Sequence, residues 1–328
     1  MNESIRLLVV GAGSIGERHI RAFAKFPGIR ISVVESREER RREVAGRNPR
    51  AAFFRSLDDV SIEGHDAALI ATPADSHVPI GLRCAAGSLH LLVEKPIAVE
   101  EAQARMLVED CRARGLTLAV GYTLRAHPVY RKAREVIESG ELGELVSVQA
   151  EVCHWIATSR PDYRSTYFAS AAAGGGVILD LSHELNYVQA LTGRLKLEHS
   201  TARSVAALGV DTEAIADLQL STAAGVPVHI HLHAADAHLR RNCWCAGTKA
   251  SSHLDFLGNT VTLKPVMGAS SNWTFTEDRD DWHVEQARDF LRAIRGGARP
   301  ACSGEEALET LALCREALSR AGIAGTSR

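Results

Sequence analysis

The chain has 328 residues, 45% hydrophobic and 24% charged, with a formal net charge of -2; this is an ordinary globular composition with length enough for about two domains. It lacks the basic surplus of a nucleic-acid binder, and no run approaches the roughly eighteen apolar residues of a membrane span. The opening residues do not read as a signal peptide and the seven cysteines include no C-x-x-C pair, so reduced thiols in a cytoplasmic chain are expected.

The first stretch, Ile5–Gly16, reads IRLLVVGAGSIG, an apolar run that enters G-A-G-S-I-G as a buried parallel strand enters a glycine turn and a helix. Gly11 permits the tight turn, Gly13 lacks the Cβ that would keep a pyrophosphate away, and Gly16 lets the helix starting near Ser14 lie close on its strand. The amides of Ser14, Ile15 and Gly16 then face an anion. A second strand, Arg30–Val34, ends on Glu35, placed to hold an adenosine ribose hydroxyl. Glu35 predicts NAD as cofactor; Arg37, able to cover the adenine or reach a phosphate, keeps NADP possible.

Glu38–Ala45, with Arg40, Arg41 and Arg42, reads as a solvated helix. Strand signals follow at Ala51–Phe54, Ala67–Ile70, His90–Val93 and Thr117–Val120. Between them, helical patterns Val78–Ala86 and Val99–Arg114 stop at Gly87 and Gly115. The alternation predicts an α/β domain, a Rossmann-like doubly wound parallel sheet over residues 1–121. From Val146 the strands succeed one another: Val146–His154, Glu198–Ala206, Glu213–Thr222, Val226–Ala235, Arg240–Ala246 and Ser252–Phe256. Residues 122–328 therefore read as an α+β domain on an open antiparallel sheet. Two helices, Val284–Arg295 and Glu305–Ala321, close it, and the tail Gly325–Arg328 reads as frayed. So broad a sheet predicts a homodimer or homotetramer. Cys243-Trp244-Cys245 reads as strand. His229, His231 and His233 alternate on one strand face near Asp236; at about 6.8 Å between successive residues they read as a polar face, and no metal is assigned.

Ligands of open parallel sheets bind at the carboxyl ends of the strands. Besides the glycine loop and Glu35, those ends carry Thr72-Pro73, Glu94-Lys95-Pro96 and Gly121-Tyr122. Lys95 can stabilise a developing alkoxide, or read as a surface lysine paired with Glu94. Further on, GGGVILDLSHELN (Gly174–Asn186) opens a helix on which Asp180 and His183 fall about 60° apart. A histidine beside a carboxylate is an acid–base group near neutral pH, though helical histidines also serve as surface or capping residues.

With GAGSIG and Glu35, ATPADSH (Ala71–His77), VEKPIA (Val93–Ala98), GYTLRAHP (Gly121–Pro128) and GGGVILDLSHELNY (Gly174–Tyr187) in order, the chain resembles the Gfo/Idh/MocA oxidoreductase family from end to end. The resemblance implies a Rossmann domain for NAD or NADP and a C-terminal sheet that serves subunit association. It makes Lys95 the catalytic lysine with Asp180 and His183 as partners, and it extends the cofactor contacts to Thr72, Pro73, His77, Glu94 and Lys95. Arg125 matches a substrate-contact position; Arg164 and Tyr167 belong to a YRxxY-like stretch that a sub-branch shares. In this chain only Leu181 and Ser182 separate Asp180 from His183, one residue fewer than usual, which puts Glu184 at the usual histidine spacing. The ordinary histidine pKa near 6.5 favours His183 as the base. The implied activity is hydride transfer between nicotinamide and a hydroxyl carbon of a sugar, sugar acid or polyol bound between the domains. An NAD-dependent lyase or hydrolase with transient redox, or a non-catalytic nucleotide-binding regulator, are the other readings.

Overall fold

Ile5–Val10 is buried at every position but Arg6, as a strand paired on both sides must be. The computed structural model describes residues 4–323; the expected fraying of Gly325–Arg328 lies outside them. In chain order, β1 (Ile5–Val10), α1 (Ser14–Ala24), β2 (Ile29–Val34), α2 (Glu38–Arg47), β3 (Ala52–Phe54) and β4 (Ala67–Ile70) come first. Next are α3 (His77–Ala86), β5 (His90–Val93), α4 (Glu101–Ala113), β6 (Leu118–Val120), α5 (Pro128–Glu138) and β7 (Leu145–Trp155). Single turns α6 (Ile156–Ser159) and α7 (Val177–Asp180) precede α8 (His183–Thr192), β8 (Leu195–Arg203), β9 (Ile215–Thr222) and β10 (Pro227–His233). The rest are β11 (Ala235–Gly247), β12 (Ala250–Asp255), β13 (Thr260–Pro265), β14 (Ser271–Thr274), α9 (Arg279–Ile294) and α10 (Gly304–Arg320).

The chain packs as two units. One holds the residues up to Ala126 together with Asp278–Leu308. Its parallel sheet has the order β3-β2-β1-β4-β5-β6, which reverses between β1 and β4 and so opens a crevice at their carboxyl ends. The sequence reading put everything after residue 121 in the second part. The packing differs because α9 carries Ala287, Phe290 and Leu291 into the same core as Ile20 and Phe23. The Phe23 and Phe290 rings meet edge to face, centroids 6.3 Å apart, and Asp280 binds Arg18 of α1 at 2.6 Å.

The other unit holds His127–Glu277 and the residues from Glu309 on. Its sheet has the order β14-β13-β12-β11-β7-β10-β9-β8. It is antiparallel except for the parallel pair β7–β10, and it is larger than expected by β13 and β14. The alternation Val261-Leu263, both buried, was a readable period-2 signal; β14, SNWT, is short and carries none. Val148, Ala150, Val152, Ile230, Cys243, Cys245 and Leu254 point to the buried face. All seven cysteines are buried and outside any disulfide. On the opposite side His231 Nδ1 lies 2.8 Å and His229 Nε2 3.3 Å from Asp217 Oδ1, so these histidines face a carboxylate across the strands.

One ion pair holds α8 to the sheet. Glu184, with a side chain 0% exposed, accepts two hydrogen bonds from Arg241 of β11, at 2.6 Å from Nε and 2.8 Å from Nη2. Burial works against the charge of Arg241, but Glu184 raises its pKa above the ordinary value. Removing one member of such a pair strands the other charge, whereas replacing both by apolar groups of similar volume is often close to neutral. Arg241→Met is therefore expected to cost about 3–5 kcal/mol, and Arg241→Met with Glu184→Leu to recover most of it, read from urea unfolding midpoints; equal midpoints for Arg241→Met and the native chain would show that the pair holds nothing.

Candidate active site

The glycine loop is dictated by the backbone around it. Gly11 has φ +92°, and a Cβ there would lie 2.6 Å from the Ala71 carbonyl oxygen at the end of β4. At Gly16 a Cβ would lie 2.1 Å from the Gly11 carbonyl oxygen, whereas one at Gly13 would meet nothing within 4 Å. The protein itself thus demands glycine at two positions and leaves open space over the third, on the side a pyrophosphate would take. Helix α1 begins at Ser14 with Gly13 as its N-cap and no side-chain cap, so its first amides suit an anion. These residues fit a dinucleotide.

Glu35 directly follows β2 beside that loop, 5% exposed. Its Oε2 accepts from the Ala12 amide at 3.1 Å, and its Oε1 accepts from the Arg37 amide at 3.0 Å and Nε at 2.9 Å. Burial works against its charge, but the bonds from Arg37 and Ala12 outweigh it and hold the carboxyl below the usual range. Arg37 stays 66% exposed.

At the neighbouring strand ends, Thr72 Oγ1 accepts from Ser76 at 2.8 Å and Pro73 precedes a short 3₁₀ turn. His77, expected at the cofactor, is 1% exposed, with Nε2 2.8 Å from the Thr72 carbonyl and Nδ1 2.9 Å from that of Pro96. It ties the loop after β4 to the loop after β5, and burial lowers its pKa. Glu94, also expected at the cofactor, turns its carboxyl inward to His19 Nε2, at 2.7 Å. Lys95 follows on the same sheet edge, before a cis peptide bond to Pro96. Arg125 donates to Glu306 at 3.0 Å.

In the other unit, Gly174–Asn186 does not form the single helix its periodicity suggested. Asp180 ends the turn α7, Leu181 and Ser182 intervene, and His183 begins α8, so the 60° relation of one continuous helix does not apply. The glycines have local causes. A Cβ at Gly175 would lie 2.4 Å from the carbonyl oxygens of Tyr167 and Phe168, and one at Gly176, where φ is +91°, 2.1 Å from Glu213 Oε2. Glu213 accepts from the Ile178 amide at 3.0 Å, and burial lifts its pKa to about 7. The Tyr167 hydroxyl donates to Asp180 Oδ1. Arg160 places its guanidinium 5.3 Å above the Tyr167 ring and 3.9 Å from Asp180.

Tyr167 and Asp180 are thus brought together as one group. Arg164, expected to touch substrate, donates from Nε to the Leu208 carbonyl at 2.9 Å, with its guanidinium 5.1 Å from the Tyr163 ring centre; this contact fastens the loop. Glu184, at the histidine spacing of the resemblance, is taken by Arg241. Sequence reasoning missed His19, Arg160, Glu213 and Arg241. Only His19, three residues past Gly16 on the cofactor helix, carried a positional signal.

The family model described as the oxidoreductase family, NAD-binding Rossmann fold, matches residues 5–122, and the GFO/IDH/MocA C-terminal domain matches residues 130–253. The rhizopine catabolism protein MocA of Rhizobium meliloti is 27% identical over 95% of this chain and 93% of that protein. An inositol 2-dehydrogenase of Corynebacterium glutamicum is 34% identical over 45% of each chain. The solved structure of a levoglucosan dehydrogenase, in complex with NADH and levoglucosan, superposes with a TM-score of 0.90 at 16% identity, covering 97% of both chains. With both halves matched, and the glycine loop, Glu35 and Lys95 on one sheet edge, the chain belongs to the Gfo/Idh/MocA family of NAD-binding oxidoreductases, enzymes that act on CH–OH groups.

Proposed function

We propose that this enzyme oxidises a ring hydroxyl of a polyol, sugar or sugar acid, with an inositol as the first substrate to test. The observation that carries the reading is the place of Lys95: it follows β5 directly, on the same edge of the sheet as the Gly11–Gly16 loop. The inositol 2-dehydrogenase relative supports the substrate class.

The amides of Ser14, Ile15 and Gly16 hold the pyrophosphate, Glu35 and Arg37 border the adenosine, and Thr72 and Pro73 line the strand ends. NAD, when bound, supplies the hydride acceptor. The Lys95 ammonium orients the reacting hydroxyl and stabilises negative charge as it develops on that oxygen. His183 takes the hydroxyl proton. Asp180, itself held by Tyr167, orients His183 or a neighbouring substrate hydroxyl, and Arg125 contacts the substrate. Glu184 is left out of the proton's path because its carboxylate is already bound by Arg241.

Assembly is proposed through the sheet. Gln149, His229, Trp244, His253 and Thr262 sit side by side on neighbouring strands, and the Trp244 and His253 rings stack with centroids 5.0 Å apart. A face of this kind suits a second copy of the chain in a homodimer or homotetramer. The buried, unbridged thiols suit the cytoplasm, and no helix among the described residues is long and apolar enough to cross a membrane.

Net NADH formation on adding inositols, sugars or sugar acids is the primary test; NADH that forms and is reconsumed would indicate a redox-cycling lyase, and tight NAD binding without turnover a regulator. Lys95→Met is expected to lower turnover by about 10²-fold or more with NAD affinity intact, and His183→Asn by about 10²–10⁴-fold with loss of the acidic limb of the pH–rate profile. Wild-type turnover in Lys95→Met would return it to a surface lysine. A limb that survives His183→Asn would move the proton elsewhere. NAD should give the higher kcat/KM, since Glu35 opposes a 2′-phosphate, and parity or better with NADP would overturn that role for Glu35. Light scattering should give two or four times the chain mass, and Trp244→Asp should shift it toward one; a native chain that scatters as a monomer refutes the interface.

A further inference from the structure

Directly behind Lys95 lies a buried group of titratable side chains that the reaction scheme does not use. Glu94 is 8% exposed. One carboxylate oxygen is 2.7 Å from His19 Nε2, and the other accepts from the Lys95 backbone amide at 3.2 Å. His19 is 0% exposed. Its ring meets that of His283 on α9 edge-on, centroids 5.0 Å apart. The space for the carboxyl is kept by glycine: a Cβ at Gly121, after β6, would lie 2.6 Å from Glu94 Oε1.

A carboxylate out of water keeps its charge only with donors around it. Burial works against Glu94, and the hydrogen bond from His19, followed by nearby positive charge that includes Lys95, outweighs it and holds its pKa below the ordinary value. Nε2 faces the carboxylate, so it carries the proton and donates. His19 sits on α1, the helix whose first amides fit the pyrophosphate. We propose that His19 is a positioning residue: through Glu94 it fixes the backbone of Lys95 to helix α1, so that the helix that holds the dinucleotide also sets where the ammonium stands. This rests on the assignment of Lys95 as catalytic. His19, wholly enclosed, acts only through Glu94.

The test compares His19→Leu, which removes the donor, with His19→Gln, whose side-chain amide can replace it. His19→Leu is expected to lower kcat by about 10²-fold, the effect of a small misplacement of a reacting group, with KM and Kd for NAD within about threefold of the native values. His19→Gln should recover most of kcat. Native kcat in His19→Leu would overturn the proposal, as would a fall in kcat matched by an equal loss of NAD affinity, since that pattern marks a merely structural residue of the cofactor helix. Should His19→Leu fail to fold because it strands a buried charge, Glu94→Gln and the double variant with His19→Leu carry no such charge. The two should then be equally slow, because both break one chain of contacts; independent, multiplying losses overturn the proposal. Lys95→Met is the reference. If it turns over normally, the Lys95 assignment falls and this inference with it; if it is inactive while His19→Leu runs at full rate, only the inference falls.

Discussion

A carboxylate taken out of water must find donors, and much of this molecule is arranged to supply them. Glu17, Glu35, Glu94, Glu184 and Glu213 are all buried, and each meets the requirement differently. Glu17 lies between Arg40 and Arg47 at 2.7 and 2.6 Å, pinning α2 to α1. Glu35 takes a backbone amide of the glycine loop and an arginine that remains in solvent. Glu94 takes a histidine, and Glu184 an arginine in two-pronged contact. Glu213 has backbone amides alone, and its pKa rises to about 7 because no cation answers its burial. Glu17 and Glu184 therefore tie one element to another through arginines, Glu94 ties β5 to α1 through a histidine, Glu35 ties the end of β2 to the glycine loop through a backbone amide, and Glu213 braces the turn that ends in Asp180.

The first unit was more legible in the sequence than the second, and the reason is local. Its strands are short apolar runs, and α3 and α4 stop at Gly87 and beside Gly115, so most elements announce themselves within a dozen residues. The reversal at β1 and β4 follows from that alternation by general rules of handedness and connection. What stayed hidden was the membership of α9, which depends on Phe290 finding Phe23 far along the chain; an amphipathic helix states that it has an apolar face and not which surface will cover it. In the second unit the same difficulty recurs in β14, whose SNWT has no apolar alternation, and in the parallel pair β7–β10, which nothing in either strand specifies.

The site was legible as residue types at strand ends, less so as partners. Lys95, Glu35 and the glycines could be assigned to the ligand edge of the sheet because ligands of open parallel sheets bind at the carboxyl ends of the strands. The contacts of His77, Glu94, Arg164 and Glu184 could not, since each is decided by a group distant in sequence: Pro96, His19, Leu208 and Arg241. Periodicity misled at Asp180 and His183, where the helix breaks at Leu181 and Ser182. That break answers the missing residue of the motif in structural terms, because two separate turns can aim their side chains independently where one continuous helix could not.

The division of the first unit between two distant stretches bears on how the chain is made. A ribosome releases β1 to β6 early, but Ala287, Phe290 and Leu291 emerge only after the whole of the eight-stranded sheet. Until then Phe23 and its neighbours on α1 have no helix to cover them, and domains built from contiguous sequence are the ones that settle during synthesis. Here the core around Phe23 is completed by a helix that lies beyond the entire eight-stranded sheet in sequence, so an apolar surface of the first unit stays uncovered while that sheet is being made.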